Sequence, residues 1–177
     1  SERKADEPKF MPYERNEKLG RPWAIPGTKG LEHRIGGIEK QNITGNISYD
    51  PVNHEQMVHL RQEKVDLVAN YIPEQTIDSG PEQGDLLMLG WGGTYGALKT
   101  AAGMLQREGY SVAHAHVRYL SPFPKNLGEL LSKYKTVVVP ELNNGQLVKI
   151  IRDKYYVDAI PYNKIKGQPF MANEVVA

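Results

Sequence analysis

The residues with the most chemical promise stand in one turn. Gly90, Gly92, Gly93 and Gly96 lie in LGWGGTYGAL, between an apolar run and a long amphipathic stretch. Glycines at a strand-to-helix junction let a ligand reach backbone amides, and a helix start favours an anion there. A dinucleotide fingerprint needs G-x-G-x-x-G and an acid closing the second strand. Here the spacing is G-x-G-x-x-x-G, and the second strand ends His116-Val117-Arg118 with no carboxylate. Both tests fail for a nicotinamide cofactor. A weaker expectation survives: Gly92, Gly93, Thr94 and Tyr95 form a candidate anion-binding or interface turn, with Thr94 able to cap the helix. The simpler reading is that the glycines only let helix and strand pack closely.

Glu141, Asn144 and Gly145 follow the run VVVP, just past the C-terminal end of a strand. Open α/β sheets bind ligands and partners at that edge. Asn143 or Asn144 can cap the helix that begins near Gln146, and Gly145 suits the turn. Glu141 has no such local duty, so it is the better candidate for a ligand or interface contact. His114 and His116 share one face of a strand and could present two imidazoles to a metal, but no third ligand stands nearby. Packing roles fit them equally. Glu32 and His33, with Gly36 and Gly37 close behind in GLEHRIGG, read either as a functional loop or as a solvated connector. No Ser-His-Asp set, carboxylate pair or P-loop lysine can be assembled, so no catalytic residue and no metal site is assigned.

These residues sit in a chain of ordinary size: 177 residues suit one domain with an irregular extension. Lys and Arg number 22 against 21 Asp and Glu, so there is no electrostatic footprint for nucleic acid or an anionic membrane. No apolar run is long enough to span a bilayer, and the start SERKADEPKF has no signal-peptide core. The sequence has no cysteine, which excludes disulfides, a thiol nucleophile and thiolate ligation of an iron–sulfur cluster by this chain. A reducing cytoplasm is the default location.

The elements that must position the candidates begin late. Residues 1 to about 55 are crowded with breakers, among them Pro8, Pro12, Pro22, Pro26, Gly36, Gly37, Gly45 and Pro51, and read as a long irregular arm that must lie on another module. A helix is expected from Glu55 to near Tyr71, because Ile72 precedes Pro73. Residues 1–83 thus form an extended connector, with Thr76–Gln83 as the final linker, and 84–177 a compact domain. In that domain strands are expected at Asp85–Leu89, Ser111–Val117, Thr136–Val139 (bounded by Pro140) and Ala159–Tyr162. Helices are expected at about Tyr95–Glu108, Asn126–Tyr134 and Gln146–Tyr155. Short buried strands alternating with amphipathic helices give an α/β three-layer sandwich with a mostly parallel sheet.

Several separated runs now converge. YERNEKLGRPWAIPGTKGLEHRIGGIEK, TGNISYDPVNHEQMVHLRQEK, LGWGGTYGAL, VRYLSPFPKN and VVVPELNNGQL resemble the C-terminal part of the alpha subunit of 2-oxoacid:ferredoxin oxidoreductases, most closely the 2-oxoglutarate type. The resemblance runs from about Tyr13 to the Phe170 region. It implies a connector followed by a domain like the transketolase C-terminal domain, with the upstream parts of the subunit expected before Ser1. It further implies an enzyme that decarboxylates a 2-oxoacid on thiamine diphosphate with magnesium, passes electrons through an iron–sulfur cluster to ferredoxin and releases an acyl-CoA. Those cofactors are expected outside this segment, between upstream domains and a beta subunit. The segment itself is expected to organise assembly, with a homodimer contact as one option, and to be inactive alone. Glu32, His33, Gly36 and Gly37 are then candidates for a substrate or CoA entrance. The alternative reading is a small-molecule module whose glycine turn holds an anion, a phosphate or CoA.

Overall fold

The structure, a computed structural model, describes residues 9–177 and divides into two compact units at Tyr71/Ile72. The expectations placed on residues 1–8, Pro8 among them, fall outside the described residues.

In the first unit the arm is irregular, with two isolated antiparallel bridges, Tyr13 to Ile43 and Lys40 to Ile47. Its one long helix, α1, spans Pro51–Leu67 and so starts earlier than the expected Glu55. Pro51 is not a breaker here. It occupies the first helical position, where a missing N–H costs nothing, and the Asp50 side chain accepts from Val52 N at 3.1 Å. Asn53, on the first turn, is buried and ties the arm to the helix: its Oδ1 accepts from Asn42 N at 2.8 Å and its Nδ2 donates to Lys40 O at 2.9 Å.

The second unit is a four-stranded sheet in the order β2-β1-β3-β4, with every strand pairing parallel. The strands are β1 (Gly84–Trp91), β2 (Val112–Val117), β3 (Tyr134–Glu141) and β4 (Ile160–Asn163). The helices are α2 (Tyr95–Arg107), α3 (Leu127–Ser132), α4 (Gln146–Tyr155) and a short α5 (Ala172–Val176) that the sequence reading lacked. Alternation along β1 separates two layers of core. Leu87 and Leu89 join Leu127, Leu131, Leu147 and Ile151 of α3 and α4 on one face. Leu86 and Met88 join Leu98, Ala101 and Ala102 of α2 and Val175 and Val176 of α5 on the other. That is the three-layer α/β/α arrangement.

Two boundaries differ from expectation for a physical reason. β3 does not stop at Val139 but runs through Pro140 to Glu141. Glu141 O accepts from Lys164 N on the β4 side, so alternation turns the Pro140 nitrogen toward β1, where pairing has already ended at Val138. The absent N–H is therefore not missed. The α3 helix ends at Ser132, two residues short of the expected Tyr134, because Tyr134 is taken as the first residue of β3.

The segment Thr76–Gln83 is more than a linker. Residues 75–79 lie against the outer edge of β2 and satisfy its backbone. Ser79 O accepts from His114 N at 2.8 Å, Asp78 N donates to His114 O at 2.8 Å, and Asp78 Oδ2 accepts from His116 N at 2.8 Å. The Gln75 side chain donates to His116 O at 3.2 Å, and Gln106 of α2 donates to Val112 O at 2.8 Å. This edge is closed, whereas the residues of β4 are all exposed.

Candidate functional site

The glycine turn lies where the C-terminal ends of the strands meet. β1 ends at Trp91, a single 3-10 turn covers Gly92–Thr94, and α2 starts at Tyr95. The glycines there answer to different causes. A Cβ on Gly90 would meet Leu98 Cδ1 at 2.5 Å, Thr94 Oγ1 at 3.0 Å and His116 Nδ1 at 3.1 Å, so Gly90 lets helix and strand touch. Gly92 has φ 58, a left-handed backbone that its neighbours do not otherwise demand, since a Cβ there meets nothing within 4 Å. Gly93 and Gly96 are equally open and exposed. Close packing accounts for Gly90 alone.

Thr94 does not cap α2. Its buried hydroxyl turns back, donating to Trp91 O at 2.9 Å and accepting from Trp91 N at 3.2 Å. The N-terminus of α2 thus has no side-chain cap. A hollow of about 430 Å³ on one side is lined by Trp91, Gly92, Tyr95, His116, Arg118 and Leu120. A smaller one of about 200 Å³ on the other is lined by Trp91, Gly92, Gly93, Thr94, Leu142 and Asn143. The turn therefore stands between two concavities, with one guanidinium, that of Arg118, at the larger.

Glu141 is a correction. Its side chain is fully buried and has the local duty the sequence reading denied it. Oε1 accepts from Leu147 N at 2.8 Å, from Trp91 Nε1 at 3.2 Å and from Asn143 Nδ2 at 3.2 Å, while Oε2 accepts from Val148 N at 3.0 Å. The carboxylate itself is the anion at the start of α4, where amides and helix dipole favour negative charge. No external ligand is needed there. Asn143 Oδ1 takes Gln146 N at 2.9 Å, as a capping asparagine should, and Gly145 adopts φ 77 at the N-cap position. Asn144 is exposed.

His114 and His116 face α2, and both rings pack on Tyr95, with centroid distances of 5.5 and 5.1 Å. Neither ring nitrogen of His114 meets a protein partner, nor does Nδ1 of His116. Burial pushes the His114 imidazole down to about 4, against a smaller upward pull from the Asp78 carboxylate. His116 is lowered for the same first reason, with Asp78 and a hydrogen bond to the Gly92 backbone opposing. Among the described residues no group of three or more His, Cys, Asp or Glu comes together in a way that could hold a metal.

The four loop residues of the arm are placed locally in the first unit. His33 Nδ1 lies 2.8 Å from Leu31 O and its ring meets Phe10 edge-on at 5.3 Å. Glu32 Oε2 accepts from Gly30 N at 2.9 Å. Gly36 O accepts from the Lys40 ammonium, and Gly37 has φ 110, with Ile47 Cγ1 2.7 Å from where a Cβ would stand. Sequence reasoning missed Trp91, Asp78 and Arg118 as contributors. Trp91 had a usable signal, because it continues the alternation of Leu87 and Leu89 at a sheet edge. Asp78 had none, since its role depends on a strand edge distant in sequence.

Comparison with known proteins places this geometry. A family model described as pyruvate:ferredoxin oxidoreductase core domain II matches residues 84–175. The 2-oxoglutarate oxidoreductase subunit KorA of Mycobacterium tuberculosis is 51% identical over 167 residues, covering 94% of this chain and 25% of that protein. The alpha subunit of 2-oxoacid:ferredoxin oxidoreductase 1 from Aeropyrum pernix is 34% identical over 60% of this chain and 18% of its own length. Among solved structures, the 2-oxoglutarate:ferredoxin oxidoreductase of Magnetococcus marinus, determined with 2-oxoglutarate, coenzyme A and succinyl-CoA bound, superposes with a TM-score of 0.86 at 29% identity. That match covers 99% of this chain and 31% of the other. The chain thus spans a quarter to a third of the KorA and Magnetococcus proteins. It belongs to the pyruvate:ferredoxin oxidoreductase core domain II family, in company with the alpha subunits of 2-oxoacid:ferredoxin oxidoreductases.

Proposed function

We propose that this chain is the C-terminal assembly domain of the alpha subunit of a thiamine-diphosphate-dependent 2-oxoacid:ferredoxin oxidoreductase, with 2-oxoglutarate as the oxoacid. The observation that carries this reading is the 51% identity with a 2-oxoglutarate oxidoreductase subunit across 94% of the chain. The whole enzyme would convert a 2-oxoacid and CoA to acyl-CoA and CO2, passing two electrons to ferredoxin. Thiamine diphosphate with its magnesium would supply the carbanion chemistry, and an iron–sulfur cluster the electron path. The residues here do not fit those groups: the sequence has no cysteine, and the described residues gather no carboxylate–histidine cluster. No reaction step is assigned to this chain.

Its contribution is support. Glu141 and Trp91 lock the strand ends, and the exposed Trp23, Ile25, Ile35 and Ile38 of the arm supply apolar surface suited to burial against the upstream domains of the same subunit or a beta subunit. Among the described residues no helix is long and apolar enough to cross a membrane, and a reducing cytoplasm suits an enzyme that works with ferredoxin. Deleting this segment from the whole subunit is expected to abolish co-purification with the beta subunit together with ferredoxin reduction. Retention of both would overturn the reading.

One observation favours the alternative of an anion-binding module. Gly92 and Gly93 are open to solvent beside an uncapped helix start, with Arg118 at the adjoining hollow. On that reading CoA or phosphate docks at the turn, and Gly93→Val removes the affinity measured by calorimetry. On the first reading, the loop residues Glu32, His33, Gly36 and Gly37 are candidates for a substrate or CoA entrance of the whole enzyme.

A further inference from the structure

The first unit contains a cavity of about 250 Å³ with an unusual charge balance. Five cations line it, Arg15, Arg21, Lys40, Arg61 and Lys64, against one carboxylate, Glu39. That carboxylate is already engaged, by the His54 ring and by Arg61 Nη1 at 3.7 Å. Five cations therefore share a single carboxylate. The Arg15 guanidinium is pushed below its ordinary range, first by burial and then by the nearness of Arg21 and, to a lesser degree, Arg61.

Three of the five cations are held in place. Arg15 Nη1 donates to Tyr13 O at 3.0 Å and to Asn42 Oδ1 at 2.8 Å, and its Nη2 reaches Met57 Sδ at 3.7 Å. Arg21 stacks over the Tyr13 ring at 4.3 Å. Lys40 is 8% exposed, its ammonium fixed by the Arg34 and Gly36 carbonyls. Arg15 spends its terminal nitrogens on protein acceptors, whereas Arg21 and Arg61 line the cavity with guanidiniums of the kind that suits bidentate contact with phosphate oxygens. The buried Met57 and the half-buried Leu19 and Leu60 complete the wall.

We propose that this cavity of the first unit binds a diphosphate-bearing small molecule. The oxidoreductase carrying this chain, titrated with inorganic pyrophosphate by calorimetry, is expected to bind it. Arg15→Gln, Arg21→Gln and Arg61→Gln are each expected to weaken binding tenfold or more, while Gly93→Val leaves it unchanged. Arg15→Gln also removes bonds that hold the arm; Arg21→Gln and Arg61→Gln, at exposed positions, keep the test decisive if that variant unfolds. Absence of binding in the wild type overturns the proposal, as does undiminished binding in both exposed-site variants. So does a loss of affinity in Gly93→Val. Dissociation of the complex in Arg21→Gln, without pyrophosphate binding in the wild type, overturns it in favour of a carboxylate from elsewhere in the enzyme filling the cavity.

Discussion

The Trp91 indole N–H donates to the Glu141 carboxylate at 3.2 Å, joining the C-terminal ends of two neighbouring parallel strands. The same carboxylate takes the Leu147 and Val148 amides in the first turn of α4, so one side chain coordinates a strand, its neighbour and a helix start. Four donors point at it, at the sheet edge where open α/β sheets bind ligands.

Glu141→Gln tests that reading. The amide presents two hydrogens to amides that themselves donate, leaving buried groups unpaired. The variant is expected to lose about 2–3 kcal/mol of stability, read as a lower denaturation midpoint with unchanged slope. A loss below the error of the measurement would show that the carboxylate is not needed in its charged, accepting form.

The glycines of the turn should separate cleanly. Gly90→Ala drives a methyl into the fully buried Leu98 and is expected to cost about 1–3 kcal/mol. Gly93→Ala enters open space and should change stability by less than about 0.5 kcal/mol. Thermal unfolding of the two variants side by side checks both values.

Acid should weaken the second unit through its histidines. The His114 imidazole is held down to about 4 in the folded state, whereas the unfolded chain takes up the proton near 6.5. The unfolded state therefore binds more protons between those values, so stability is complete above 6.5 and falls as the pH drops toward 4. His114 alone accounts for up to about 3 kcal/mol across that window, and His116 adds in the same direction. Denaturation midpoints measured from pH 7 to pH 4 should fall, and His114→Phe should flatten the slope.

In the first unit, Asn53→Ala removes both bonds that hold residues 40–42 to α1. The expected cost is about 2–3 kcal/mol, because the orphaned Lys40 carbonyl and Asn42 amide lie near a buried position. Faster amide exchange confined to residues 38–47 would confirm it, and unchanged protection would refute it.

The fold was legible wherever local pattern and burial agree. Gln146–Tyr155 was bounded correctly as α4 because Gly145 and the Leu147, Ile151 spacing speak locally, although Ile150, expected to face inward with them, is exposed. β1 to β4 were each recognisable as short apolar runs. What the sequence could not show depends on partners far along the chain. Pro51 and Pro140 read as breakers until a helix start and a lapsed strand pairing gave each a place where the missing N–H does no harm. Glu141 looked idle because its donors arrive from Trp91 and from a helix whose direction only the packed sheet defines. Gly90 and Gly93 are the same letter with unlike causes, one steric and one open. Composition cannot tell them apart.

The closed edge of β2 has a consequence for copies of this chain. Its outward N–H and C=O groups are taken by Gln75, Asp78, Ser79 and Gln106, whereas β4 forms the other end of the sheet with its residues exposed. Head-to-tail joining of β2 to β4 is thereby blocked. Two copies can share a sheet only by setting β4 beside β4, which symmetry makes antiparallel and complete after two. The second unit thus carries one open sheet edge, and a sheet extended through it closes at two copies.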